Sequence, residues 1–312
     1  MLSAIIQKFD WSTREPRRIF HGRGQGQAPL KTISIDWLPP VVLITLYQEW
    51  EEFTLRQLID EFVVYSNDRV SSVVLQRRFS KPAVFETVAG APVNHLVVEE
   101  GNLKYQLAFN SGMHTGLFLD MACARQWLRE RAAGKRILNL FAYTCAFSIA
   151  GLAGQARSVV NIDMSSKALA RGRENHRLNE QDLHRVSFLA HDIFRSWGKL
   201  KRQGPYDLVV VDPPAYQRGS FVTENDYARI VRRLPDMITQ GAEVLFCLND
   251  PARGEVYLKD IIEANAGKLV FQQRLENPKE FADIDSNRAL KVLCYQFEPT
   301  TNASRSTRPL LH

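Results

Sequence analysis

With 312 residues, 45% of them hydrophobic and 24% charged, the chain has a globular makeup and the length for about two domains. No run reaches the roughly 18 apolar residues of a membrane span, and Lys8 and Asp10 interrupt the N-terminal stretch where a secretory signal would be apolar, so a cytoplasmic protein without membrane contact is expected. The formal charge of +6 and pI near 9.2 favour an anionic partner such as nucleic acid, while Cys123, Cys145, Cys247 and Cys294 form no C-x-x-C pair, which argues against a zinc site or a disulfide framework and leaves no metal expected.

Residues 1–93 read as a small α+β domain. Arg14, Arg17, Arg18, His21 and Arg23 gather around Gly22, Gly24 and Gly26, which predicts a flexible basic segment that follows a phosphate backbone, or else a solvated loop. Residues 32–37 and 41–47 read as strands joined through Pro39-Pro40, 55–65 as a helix, and 72–77 and 83–87 as further strands. Gly90, Ala91 and Pro92 mark a boundary. No catalytic chemistry is visible in this part, whose expected role is to position RNA.

Residues 96–98 and 105–109 predict a hairpin near Gly101. A helix to about Arg131 follows, with Asp120 placed to cap it and Arg125 suited equally to a salt bridge or a ligand contact. The stretch 136–163 then reads as an apolar strand, a turn at 142–145, a helix over 146–154 and a second strand ending on Asp163. In such a βαβ unit ligands sit beyond the carboxyl ends of the strands, and an acid at that tip commonly takes ribose hydroxyls. A pyrophosphate needs Gly-x-Gly-x-x-Gly at the turn, whereas Tyr143, Thr144, Cys145 and Ala146 stand there. The pattern therefore argues against a dinucleotide and favours S-adenosylmethionine. A plain α/β core, with Asp163 a solvated strand end, is the alternative at this point.

A helix over 166–178 puts Asn175 and Asn179 on one face. A short strand over 186–189 leads to Asp192, an acid suited to the exocyclic amine of adenine. Residues 208–211 form a β-branched-rich run of the kind buried on both faces of a parallel sheet, with Asp207 merely opening it. Asp212-Pro213-Pro214-Ala215-Tyr216 follows. Its two prolines remove two backbone donors, and a rigid loop with a carboxylate before it and an aromatic after it suits a planar nitrogenous acceptor stacked on Tyr216. Arg229, Arg232 and Arg233, at helical spacing, predict RNA contact beside this loop. Residues 244–251 form a fifth strand and its tip, 269–274 and 290–297 two last antiparallel strands, and 300–312 a disordered tail.

Four ordered segments, TGLFLD (115–120), LNLFAYT (138–144), VNIDMS (160–165) and DPPAY (212–216), resemble the class I S-adenosylmethionine-dependent methyltransferases that modify bases of large-subunit ribosomal RNA. The resemblance runs over about 94–297 and is strongest to the guanine-N7 enzymes, with the cytosine-C5 enzymes next. It implies an α/β fold with a Rossmann-like seven-stranded sheet over 94–299, S-adenosylmethionine as cofactor, and ribosomal RNA or a ribosomal precursor particle as partner. It assigns Phe118, Asp120, Asn139, Phe141, Tyr143, Thr144, Asp163, Met164, Asp192, Ile193 and Asp212 to the cofactor, with Asp163 on the ribose and Asp192 on the adenine. Asp212, Pro213, Pro214, Tyr216 and Asn249 fall to the acceptor. One departure stands out: the family usually has glycine where this chain has Cys145.

Cytosine C5 has no lone pair, so its methylation begins with addition of a cysteine thiolate, which the resembling C5 enzymes carry just past the fifth strand. Cys247 comes about one position early, and in a strand that shift turns a side chain to the other face, as for a buried hydrophobe. Phe246-x-x-Asn249 instead resembles the guanine-N7 enzymes, so a ring nitrogen is the expected acceptor. C5 transfer through Cys247 and a non-catalytic cofactor- and RNA-binding protein are the alternatives. A DNA-amine enzyme fits less well, its usual Asn-Pro-Pro-Tyr being replaced here by Asp-Pro-Pro-Ala-Tyr.

Overall fold

A computed structural model of the chain describes residues 2–25, 30–80, 82–110, 113–214 and 223–298. Helix α1 (Leu2–Lys8) leads into a five-stranded sheet of β1 (Arg17–His21), β2 (Ile33–Leu38), β3 (Val41–Leu46), β4 (Ser72–Arg77) and β5 (Val84–Gly90), arranged in sequence order, with α2 (Gly22–Gln25) after β1. Only β3 and β4 run parallel, and the crossover between them is α3 (Glu52–Tyr65), since a parallel pair cannot be closed by a tight turn. Leu55, Leu58, Ile59 and Phe62 recur at helical spacing and seal one face of the sheet together with Trp11 and Trp37. The other face, through Leu38, Val41, Leu43 and Val74, runs on into the core beneath the next segment.

In the basic stretch expected to be flexible, Arg17–His21 form β1 and Gly22–Gln25 form α2. Arg18 stands directly across from Asp36 in the β1–β2 register and grips it at 2.7 and 3.1 Å, while Arg17 pairs with Glu280. These two charges are neutralised within the protein rather than held out for a phosphate backbone.

Hairpin β6 (His95–Glu100) and β7 (Leu103–Ala108) comes next, then α4 (Ala122–Arg131). The second sheet is built from β8 (Arg136–Leu140), α5 (Ala146–Ala153), β9 (Ser158–Asp163), α6 (Ser166–Leu178), β10 (Val186–Ala190), α7 (Trp197–Gln203), β11 (Tyr206–Val211), α8 (Thr223–Arg233), β12 (Ile238–Leu248), α9 (Glu255–Asn265), β13 (Leu269–Leu275) and β14 (Lys291–Phe297). Its order is β10-β9-β8-β11-β12-β14-β13, parallel except for β14, which pairs antiparallel with β12 and β13. This is the expected α/β architecture with seven strands in its main sheet.

Strand β11 shows why its run of aliphatic residues lacks polar alternation. Leu208 and Val210 bury into the core beside α4 and α5, Val209 and Val211 into the core beside α8 and α9, and all four are fully inaccessible. On the hairpin, Asn175 of α6 and its C-cap Asn179 accept from the backbone N–H groups of Gln106 and Lys104 at 2.8 Å each, and Asn179 donates back to the Lys104 carbonyl. Two side-chain amides thus satisfy the edge of β7 where a third strand would otherwise pair. The strand order reverses between β8 and β11, which opens a crevice at their carboxyl ends, the place where open α/β sheets take ligands. Among the described residues no helix is long and apolar enough to cross a membrane.

Candidate cofactor and acceptor site

The turn after β8 is conformationally costly. Phe141, Tyr143 and Cys145 have φ of +57°, +46° and +62°, three left-handed non-glycine residues within five. Several contacts hold them there. Asp163 Oδ2 accepts the Tyr143 N–H and Oδ1 accepts the Ser165 N–H, both at 2.8 Å, so one carboxylate ties this turn to the tip of β9. Thr144 Oγ1 donates to the Gly116 carbonyl at 2.5 Å, and Asn175 Nδ2 donates to the Thr144 carbonyl at 3.3 Å.

The φ of Cys145 accounts for the glycine usual at this position, and its neighbour accounts for the exception. The side chain is fully buried and rests against Gly172 of α6, where a methyl group would collide with Sγ. Burial, reinforced by Asp163, raises the thiol and keeps it neutral. Gly172→Ala is therefore expected to lower stability by about 1–3 kcal/mol in denaturant titration. Adding Cys145→Gly should recover much of that loss, and a strictly additive double mutant would disprove the pairing.

Residues 113–120 lie over this turn. The Phe118 ring sits 5.5 Å from Tyr143 and 4.9 Å from His114, Tyr143 Oη donates to the His114 carbonyl at 3.3 Å, and Arg171 donates to the Thr115 carbonyl at 3.1 Å. Asp120 is half-buried in a short 3-10 turn and does not cap α4, whose N-cap is Met121. Its carboxyl is raised by burial, against the opposing pull of Arg18 and Arg125. Arg125 itself is committed: buried, it holds Glu100 at 2.7 and 2.6 Å and the Phe118 carbonyl at 2.9 Å, which makes it structural.

On the β9 and β10 side, Met164 stands 58% exposed beside Asp163, an open apolar surface among the described residues. Asp192 is half-buried, accepts the Phe194 N–H at 2.8 Å, and is followed by the buried Ile193. Asn139 is a correction. It does not face the crevice but is buried in a polar chain, donating to Asn161 Oδ1 at 2.9 Å; Asn161 donates to Ser148 Oγ at 2.9 Å, which contacts His176 Nε2 at 2.9 Å. Asn139 thus supports the turn from beneath.

At the acceptor end, Asp212 follows β11 and is half-buried, with Pro213 buried beside it. Burial, then the nearby Asp120 charge, push the Asp212 carboxyl up to about 7, with Arg125 opposing. Tyr216 lies outside the described residues, as does the tail at 300–312. Behind Asp212, Cys247 is fully inaccessible within β12, and its carbonyl accepts from the Tyr227 hydroxyl. Asn249 is exposed, with no hydrogen-bond partner among the described residues; the strand end is capped instead by Asp250, which accepts the Ala252 N–H at 2.8 Å.

Two features escaped the sequence. Lys291 is fully buried at the start of β14, donating to the carbonyls of Asp250 at 2.6 Å and Asn287 at 2.9 Å, and burial brings its pKa down to about 8. A lysine opening a strand reads as solvated, so nothing marked it. The second is a cavity of about 230 Å3 that runs from Phe118, Asp120 and Asn249 to a facing wall on the N-terminal sheet, which includes Tyr47, Gln76 and Arg78. Its signal was there to read: Thr45 and Gln76 are polar interruptions in otherwise apolar strands, and both are buried.

This donor set fits S-adenosylmethionine: a carboxylate for a vicinal diol at Asp163, another for an amine at Asp192, apolar surface at Met164 and Ile193, and a turn without a glycine-lined pyrophosphate cradle. The comparisons agree. The family profile described as S-adenosylmethionine-dependent methyltransferase matches residues 17–296. Ribosomal RNA large subunit methyltransferase I of Aeromonas salmonicida is 33% identical over 163 residues, 52% of this chain and 41% of that protein. The provisionally named ribosomal RNA large subunit methyltransferase YwbD of Bacillus subtilis is 25% identical over 257 residues, 79% of this chain and 64% of its own length. The chain thus spans less than two thirds of either relative. Among solved structures, SMU.776, a provisionally assigned methyltransferase complexed with SAH, superposes with a TM-score of 0.81 at 24% identity, covering 95% of this chain and 81% of that one, a likeness of fold. From the profile match over 17–296 and the seven-stranded sheet beneath it, the chain belongs to the S-adenosylmethionine-dependent methyltransferase family.

Proposed function

We propose that the protein methylates a ring nitrogen of a nucleobase in large-subunit ribosomal RNA, guanine N7 being the favoured atom, with residues 1–93 positioning the RNA and residues 94–299 carrying the cofactor. The observation that carries this reading is the placement of Asp163, Asp212 and Asn249 at the carboxyl ends of β9, β11 and β12, on one edge of the sheet, with Cys247 buried inside β12. The names of the relatives support ribosomal RNA as the substrate.

When bound, S-adenosylmethionine supplies an electrophilic methyl group on a sulfonium centre. Phe118, Phe141, Tyr143, Thr144, Asp163, Met164, Asp192 and Ile193 would hold it, the first four through the turn after β8 and the segment lying over it. Guanine N7 already presents a lone pair, so the remaining task is alignment rather than proton removal. Asp212 sits where it can hold the edge of a base, as a donor when protonated and an acceptor when ionised. Pro213 and Pro214 withhold backbone N–H groups from that edge, and Asn249, without a hydrogen-bond partner among the described residues, offers an exposed amide.

Cytosine C5 transfer needs an attacking thiolate. Cys247 argues against it, being inaccessible in β12 with its thiol raised well above the ordinary value, first by burial and then by Asp212. The test is transfer of tritiated methyl from S-adenosylmethionine to ribosomal RNA from cells lacking the gene, followed by nucleoside analysis. A methylated purine is expected, with Cys247→Ala retaining activity within about threefold; loss of about a hundredfold would favour C5 chemistry. No incorporation into any RNA, with cofactor binding intact, would leave a non-catalytic binding protein.

A further inference from the structure

We propose that Arg23, Tyr47 and Arg78 form an anion-binding wall that takes a phosphate of the RNA strand next to the acceptor base, an inference that rests on the RNA reading above. The guanidinium carbons of Arg23 and Arg78 lie 4.8 and 5.6 Å from the centre of the same Tyr47 ring. Two like charges drawn to one ring repel each other. Three arginines of the same sheet are neutralised: Arg17 by Glu280, Arg18 by Asp36 and Arg77 by Glu86. Neither Arg23 nor Arg78 has a carboxylate within ion-pair distance among the described residues.

Strand geometry explains the convergence. Leu46 and Arg77 are register partners, and the Arg78 N–H extends the ladder to the Leu46 carbonyl at 2.9 Å, so Tyr47 and Arg78 emerge side by side past the strand ends. The pleat sends Arg77 and Arg78 to opposite faces, the first to Glu86 and the second into the cavity. His21 lines the same space but adds no charge at neutral pH, since burial, aided by Arg18, lowers it to about 4. Burial alone would raise the Tyr47 phenol; Arg18, then Arg78 and Arg23, outweigh it and lower the phenol instead, a net positive field in which the Asp36-paired Arg18 has the largest share. Guanidinium groups in that setting are suited to bidentate phosphate recognition.

The cavity then has two ends of different chemistry, a cationic wall on the N-terminal sheet and Asn249 and Pro251 at the tip of β12 opposite. An acceptor held at both ends is a nucleotide within a polyanion, not a free base. The same wall also suits the methionine carboxylate of the cofactor, so the experiment must separate the two.

Arg23→Gln, Arg78→Gln and Arg78→Lys in the full chain are titrated with a fluorescent, unstructured oligoribonucleotide over a range of salt, and with S-adenosylhomocysteine by calorimetry. Each Gln variant is expected to weaken RNA binding three- to tenfold and to flatten the salt slope by about 0.7, the value for one lost phosphate contact on a single strand. Arg78→Lys should keep the slope while losing affinity, which a merely structural role would not produce. S-adenosylhomocysteine affinity should be unchanged throughout. Wild-type RNA affinity and slope in both Gln variants would overturn the wall, and loss of S-adenosylhomocysteine affinity would assign it to the cofactor carboxylate. If the unaltered protein binds S-adenosylhomocysteine but no RNA, the RNA reading falls and this proposal with it.

Discussion

Asp163→Ala is expected to weaken S-adenosylhomocysteine binding by at least about a hundredfold in calorimetric titration, equivalent to roughly 2.7 kcal/mol. Two losses add. The carboxylate would no longer meet the ribose diol, and the N–H groups of Tyr143 and Ser165 would lose the acceptor that fixes them at 2.8 Å. Hydrogen bonds to a charged group contribute about 1.5–3 kcal/mol each, so either loss alone is large. The turn is also poorly able to hold itself, with left-handed φ at Phe141, Tyr143 and Cys145. Asp163→Asn keeps the size and one acceptor oxygen and should sit between, at about tenfold. Asp207→Ala is the control: that acid also accepts a backbone N–H, from Arg136 at 2.8 Å, but at the opposite end of the sheet. It should cost stability and leave affinity unchanged. Undiminished binding by a folded Asp163→Ala protein would remove Asp163 from the cofactor site.

The parts of this molecule that were legible in the sequence are those set by local pattern and by burial on both faces. Strands β8, β9 and β11 announce themselves as aliphatic runs because helices cover both sides, and their acidic or proline-rich tips mark where the chain leaves the sheet. What was misread depends on partners distant in sequence. Asn139 sits in a motif that reads as cofactor contact, yet the pleat turns it to Asn161 on the neighbouring strand. Arg18 reads as part of a basic loop until β1 pairs with β2 and sets it across from Asp36. The Tyr47 and Arg78 wall exists only once β3 and β4 lie parallel in register. Cys145 was visible as a departure, but its companion Gly172 lies in α6, and only packing joins them.

Asp212→Asn is expected to lower methyl transfer by about a hundredfold while changing S-adenosylhomocysteine affinity less than tenfold, because the role proposed for the side chain is on the base edge more than on the cofactor. The free protein offers an independent readout. Burial, then Asp120, hold the Asp212 carboxyl near 7 instead of its ordinary 3.8. With the folded value above the unfolded one, the folded state keeps a proton that the unfolded state has released. The stability this provides is complete below about pH 4 and is lost as pH rises through 7, by up to about 4 kcal/mol for a shift of that size. Urea titrations at pH 4.5 and pH 8 should therefore differ by more in the wild type than in Asp212→Asn, with the variant the more stable at the higher pH relative to its own value in acid. Asp120→Asn should move the wild-type window to lower pH, since it removes the neighbouring charge while leaving burial in place. Equal pH dependence in wild type and Asp212→Asn would mean that the carboxyl is not held neutral in the fold, and the donor role assigned to it at the base edge would fall with it.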